Sequence, residues 1–259
     1  MIGFGIDLAG YTTGKTSLAA IEIKGQRAKA TLLRGSALSA KRESGAALRE
    51  VLRQEAAVLR RCLGIGPVAV DIPIDLQDLT KPDRAEYIWQ LTRRPVDRAV
   101  GAMPPLADRI GAPTARFAAI MREGRFASQL GNRLFEAYPA GTLAALEMKA
   151  KRYKGESGVV ALRSLCETLK IEPHVDSDDD IDAIICAITA AAPAEAVHDA
   201  TALNVRGRLP KGFRIPKSLS FARIETIEAR FDTWMTERES LQAGGVVDPG
   251  RSTGGRISE

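Results

Sequence analysis

Four aspartates crowd the start of one segment, where Asp178-Asp179-Asp180-Ile181-Asp182 leads into the largely apolar run 184–192. An acidic first turn suits the partial positive charge and unpaired N–H groups of a helix amino end, and Asp178 is placed to cap it. One or two acids meet that need. Asp179 and Asp182 stand three apart and so share a helix face. Two hard oxygen ligands on one turn suit Mg²⁺ or Mn²⁺. This segment alone leaves both capping and metal binding open.

Two more aspartates close apolar runs: Asp7 ends the run from Ile2, and Asp71 follows Val68-Ala69-Val70. Ligands gather at strand ends in open α/β sheets, so Asp7 and Asp71 are placed to converge on one crevice. An Asp after a strand is also an ordinary turn former. The glycines beside Asp7 would let a ligand approach the backbone closely. Glu136, set between apolar neighbours in Leu134-Phe135-Glu136-Ala137, is a buried carboxylate that needs a partner.

The elements that must position these acids follow from periodicity. Strands are predicted over 2–8, 17–23 and 28–33, joined as an antiparallel meander with a tight turn at Gly25-Gln26. Residues 42–63 repeat apolar side chains at three and four, a core-facing helix. Strands follow at 67–72 and 132–139. Between them, 75–125 holds several prolines and Arg93, Arg94, Arg98, Arg109, Arg116, Arg122 and Arg125. That segment reads as a helical insertion or lid whose arginines either hold phosphate oxygens or face solvent.

Helices are expected from Thr142 to about residue 152, over 159–169, and through the acidic segment. Spacing of Ile224, Ile227, Phe231, Trp234 and Met235 predicts an amphipathic C-terminal helix, an appendage or dimer contact. The division expected is one α/β domain over 1–205, a loop and helix over 206–242, and a flexible tail over 243–259.

A chain of 259 residues with a net charge of +5 is long enough for a large core and mildly suited to a polyanion. No segment has the apolar length of a membrane helix, and the protein is expected to be cytoplasmic. Cys62, Cys166 and Cys186 sit in apolar helical patterns, as buried thiols of a reducing compartment do. His174 and His198 lack neighbouring ligands for zinc.

The order of a strand acid, a second strand acid and late helical acids resembles the ribonuclease-H-like superfamily, and the late Asp-x-x-Asp-Ala run resembles the helix of Holliday-junction resolvases. Gly5-Ile6-Asp7, Val70-Asp71-Ile72-Pro73, Arg94-Pro95-Val96-Asp97-Arg98, Phe135-Glu136-Ala137-Tyr138-Pro139, Tyr153-Lys154 and the run from Asp179 to Ala183 are similar to a predicted-nuclease family, domain of unknown function 429. The resemblance spans roughly residues 1 to 205.

It implies an α/β fold with a five-stranded mixed sheet, the first three strands antiparallel, flanked by helices. Acids from strands one and four and the last helix would gather around divalent metal. Resolvases carry Glu on the fourth strand where this chain has Asp71.

On this resemblance the protein is a nuclease holding two Mg²⁺ or Mn²⁺ ions about 3.5–4 Å apart. Asp7 bridges them, Asp71 and Asp182 complete the ligand set, and Asp179 or Glu136 orients the attacking water. Arg94, Arg98 and Lys154 contact the nucleic acid. Two other readings stand beside it: a non-catalytic nucleic-acid or partner-binding module on the same fold, and a relative of actin-like ATPases and sugar kinases using the hairpin 7–15 for phosphate.

Overall fold

The computed structural model describes residues 1–11, 15–43, 45–77, 92–105, 107–148, 159–172, 174–219 and 221–243. Its strands are β1 (Ile2–Asp7), β2 (Ser17–Lys24), β3 (Arg27–Arg34), β4 (Val68–Val70), β5 (Leu134–Ala137), β6 (Phe213–Arg214) and β7 (Arg223–Arg230). Its helices are α1 (Leu48–Ile65), α2 (Pro95–Ala99), α3 (Asp108–Gly124), α4 (Pro139–Ala145), α5 (Val159–Leu169), α6 (Asp178–Ala191) and α7 (Phe231–Ala243).

β1, β2 and β3 form an antiparallel meander, and the Gly25-Gln26 turn between β2 and β3 uses positive φ at Gly25, 59°. β4 lies parallel to β1, and β5 parallel to β4; their short apolar runs are those of strands covered on both faces. The five strands expected are present, but the sheet is larger. Seven strands run in the order β6-β5-β4-β1-β2-β3-β7.

Both added strands come from the segment expected to be a loop and helix. Residues 223–230 form β7, parallel to β3 from Arg27↔Arg223 to Arg34↔Arg230, and the C-terminal helix begins only at Phe231. Ile224 and Thr226 point inward while Arg223 and Glu225 are exposed, which is the alternation of a strand. Spacing of three between Ile224 and Ile227 suggests a helix, but β-branched side chains beside an open sheet edge favour pairing. Residues 206–242 thus edge the sheet on both sides rather than hanging from it.

Alternation along β1 sends Phe4 and Ile6 to one face and Gly3, Gly5 and Asp7 to the other. The first face is covered by α1, α3 and α7, with Leu59, Phe117, Ile120 and Trp234 in one core. Trp234 meets Phe4 edge-on at 5.4 Å. α3 is therefore a core helix and not a lid. Phe231, Trp234 and Met235 of α7 are buried within the chain, so they are not available to a second copy.

The second face is covered by α6 and α5. α6 is buried continuously from Asp180 to Ala191, which makes it a central helix. Its cap is Ser177, whose Oγ accepts from the Asp180 N–H at 3.2 Å, and not Asp178. α4 starts at Pro139, a residue suited to the first helical position, and ends at Ala145, earlier than expected.

The glycines of β1 serve this helix. A Cβ on Gly5 would lie 1.9 Å from the Ala183 carbonyl oxygen and 2.2 Å from the Ala187 nitrogen. One on Gly3 would lie 2.6 Å from the Ala187 carbonyl oxygen. These positions admit a helix backbone, where the sequence suggests room for a ligand.

Among the described residues no helix is long and apolar enough to cross a membrane, and the three cysteines are buried. The expected tail lies, past residue 243, outside the described residues.

Candidate metal centre

Asp7 is the last residue of β1 and Asp71 the first after β4, its N–H donating to the Ile6 carbonyl at 2.9 Å. Parallel register pairs Ile6 with Val70, so Asp7 and Asp71 follow side by side at the same end of the sheet. Close approach of Ala183 to Gly5 brings the residue before it, Asp182, to the same place. One carboxylate oxygen from each of Asp7, Asp71 and Asp182 lies within 4.8 Å of the other two. Asp182 is completely buried; Asp7 and Asp71 are half-buried.

Asp180 sets the height of α6 against the sheet. Arg34 donates to its Oδ1 at 2.7 Å and its Oδ2 at 2.8 Å, and the Ser17 hydroxyl donates to Oδ1 at 2.8 Å. Ser17 is the direct partner of Asp7 across the β1–β2 pairing. Burial opposes ionisation of Asp180, but the bonds from Arg34 and Ser17 outweigh it and hold the carboxyl below the usual range.

A depressed carboxyl contributes stability above its unfolded value and loses it as pH falls through the folded one. Asp180→Asn is accordingly expected to cost about 2 kcal/mol near neutrality. The difference from wild type should shrink as pH drops below about 4. Urea midpoints for both proteins between neutral and acid pH measure this.

Glu136 and Arg94 do other work than the sequence suggests. Arg94, only 1% exposed, donates to Glu136 Oε1 at 2.5 Å and Oε2 at 2.8 Å, to Asp97 Oδ1 at 2.7 Å, and to the Asp75 carbonyl at 3.1 Å. Its Nε also donates to Asp97 Oδ2, at 3.0 Å. Every guanidinium nitrogen is engaged, so Arg94 is not a phosphate ligand. Burial pushes the Glu136 carboxyl up, against the Arg94 guanidinium and the Ile74 N–H that favour its charged form. That N–H donates to Oε2 at 2.8 Å.

The ensemble ties the loop 71–77, which carries Asp71, to β5 and α2. Glu136 is a positioning residue and stands outside the three-carboxylate cluster, although it lines the cleft described below. Arg94→Met, which strands two buried carboxylates, is expected to cost about 3–5 kcal/mol. Adding Glu136→Gln should recover part of that loss in the same denaturation assay.

The remaining expected site residues are dispersed. Asp179, half-buried in the first turn of α6, does not join the cluster. Arg98 is exposed in the last turn of α2 and does not line the cleft. Lys154 lies outside the described residues.

Arg116 is buried rather than facing a phosphate. It donates to Glu55 Oε1 at 2.6 Å, to the Ala9 carbonyl at 2.6 Å and to the Leu38 carbonyl at 2.7 Å. The ring of Tyr11 stacks on it at 4.6 Å, and the Tyr11 hydroxyl donates to Glu55 Oε2 at 3.1 Å. Burial and the Glu55 charge push that hydroxyl up to about 12. This network anchors the loop after Asp7. Its signal in the sequence is Glu55, set between Val51 and Leu59 at spacings of four in the apolar stripe of α1.

A cleft of about 440 Å³ opens at the ends of β1, β4 and β5, with Asp7 and Asp71 on its wall and Arg109, exposed at the start of α3, at its rim. Three carboxylates this close repel one another unless a cation or proton lies among them. An all-oxygen, all-anionic donor set fits a hard divalent ion. Ligands on opposite sides of Mg²⁺ stand about 4.2 Å apart, a span these oxygens can meet.

A family model described as a protein of unknown function (DUF429) matches residues 5–200. The chain belongs to that family. The matched span of the DUF429 chain contains all three clustered aspartates, the Arg94–Glu136–Asp97 ensemble and α6; β6, β7 and α7 lie beyond it. No curated protein and no solved structure matches the chain.

Proposed function

We propose that this protein is a divalent-cation-dependent nuclease that hydrolyses phosphodiester bonds. The observation that carries the reading is the meeting of Asp7, Asp71 and Asp182, from three separate elements, beside a cleft. An antiparallel β1–β3 meander, a parallel β4 and acids on strand one, strand four and a late helix also support it. That is the arrangement which the ribonuclease-H-like resemblance implies.

Mg²⁺ or Mn²⁺ held by these carboxylates would supply positive charge where negative charge develops on the phosphoryl and leaving oxygens. Asp7, Asp71 and Asp182 hold the ion. Arg109 faces the entering phosphate from the rim, and the Arg94–Glu136 clamp keeps Asp71 in place. In the reaction water adds to phosphorus, and the P–O bond to the 3′ oxygen breaks.

The test is incubation of end-labelled single-stranded and duplex oligonucleotides with Mn²⁺, with and without excess chelator. Shortened products that vanish on chelation support the proposal. Cleavage that persists without divalent ions overturns it, as does Mn²⁺ binding by protein that hydrolyses neither these oligonucleotides nor a small nucleotide diester. The second of these results favours the non-catalytic binding module.

A further inference from the structure

The size and walls of the cleft specify what enters it. Its volume of about 440 Å³ falls in the lower part of the range of roughly 300–1,000 Å³ that small-molecule sites occupy. Beyond the acids, its walls are mainly apolar: Leu8 and Ile72 beside the strand ends, Met103 and Ile110 from the insertion, and Tyr138 and Phe213 from the β5–β6 edge of the sheet. The Tyr138 hydroxyl donates to the Gly101 carbonyl at 3.3 Å, which ties this wall to the insertion and leaves the ring on the cleft.

Two cations are among the described lining residues. Arg94 is consumed by Glu136 and Asp97, which leaves Arg109. A groove that tracks a polynucleotide backbone needs a row of cations and successive stacking platforms. Among the described residues a single arginine and a small apolar chamber with two aromatic rings adjoin the carboxylates. That chemistry recognises one anionic phosphate joined to one flat, apolar-faced group.

Resting on the nuclease reading above, we infer that the cleft takes a single unpaired nucleotide, so that the substrate is a strand end or a small nucleotide diester and not an intact duplex. A base-paired nucleotide would first have to leave its stack, at a cost of a few kcal/mol. In the reaction water adds to phosphorus and the alcohol or phenol on the far side of the diester leaves. Thymidine 5′-monophosphate is the product when its p-nitrophenyl ester is the probe.

The experiment pairs equilibrium dialysis of thymidine 5′-monophosphate in the presence of Mn²⁺ with hydrolysis of that ester and of a blunt 20-base-pair duplex. It uses the wild type and Ala140→Phe, a substitution that fills the cleft from α4 without touching the three aspartates. Wild type is expected to bind the nucleotide and to cleave the ester. Duplex should react about tenfold or more slowly, and Ala140→Phe should lose nucleotide binding by about tenfold or more while keeping Mn²⁺ binding.

Duplex cut internally as fast as the ester, or nucleotide binding unchanged in Ala140→Phe, overturns this inference and leaves the nuclease reading standing. Mn²⁺ bound with no phosphodiester of any kind hydrolysed sinks both. If Ala140→Phe does not fold, Tyr138→Ala and Met103→Ala, which enlarge the chamber, replace it and should weaken nucleotide binding.

Discussion

Asp7→Asn should remove tight Mn²⁺ binding and all metal-dependent hydrolysis while leaving the protein folded. Asp7 stands within 4.8 Å of both other acids, at the strand end shared by β1 and β4, so its loss removes one of three direct ligands. Loss of supporting partners around a metal typically costs about 10–100-fold in affinity, and loss of a direct ligand costs at least the upper end of that range. Calorimetric titration of Mn²⁺ into wild type and variant measures it.

The sign of the stability change gives an independent check. Without metal, neutralising one of three crowded carboxylates relieves repulsion, so Asp7→Asn or Asp182→Asn should melt no lower than wild type. With Mn²⁺ at about a hundred times its Kd, wild type gains about 2.7 kcal/mol that the variants do not, and the order of melting reverses. Equal Mn²⁺ stabilisation of wild type and both variants would place the ion elsewhere and remove the basis of the proposed chemistry.

The second large effect is expected at Gly5. A methyl group there would collide with the Ala183 carbonyl oxygen at 1.9 Å and the Ala187 nitrogen at 2.2 Å, both backbone atoms of a fully buried helix. Neither can swing aside as a side chain would, so α6 must lift from β1. Gly5→Ala is expected to cost about 3 kcal/mol or more, the upper range for overpacked cores. Displacement of α6 also carries Asp182 away from Asp7, and Mn²⁺ binding should weaken in whatever fraction remains folded.

Gly64→Ala supplies the contrast. That glycine lies in α1 with nothing within 4 Å of an added Cβ, and alanine should stabilise by about 0.5–1 kcal/mol through helix propensity. Similar urea midpoints for the two variants would show that the β1–α6 seam is not close-packed as described.

The sequence by itself determined the local elements and the placement of the acids on them. The meander, α1, α5 and the acidic start of α6 are legible because alternation and three-to-four spacing record which side of a strand or helix faces a core. Asp7 and Asp71 are legible because both end apolar runs, and family motifs spaced along the chain mark the same residues.

Tertiary structure decided which carboxylates meet and which are spent in ion pairs. Of the four aspartates that open α6, Asp180 is taken by Arg34, a residue 146 positions away, and Asp182 alone reaches the cluster. Glu136 is taken by Arg94, and Arg116 by Glu55. Whether an arginine serves phosphate or a buried acid depends on partners far along the chain, and local periodicity carries no record of them. The edges of the sheet follow the same rule: 223–230 became β7 because β3 offered unpaired N–H and C=O groups, a demand set by the assembled sheet.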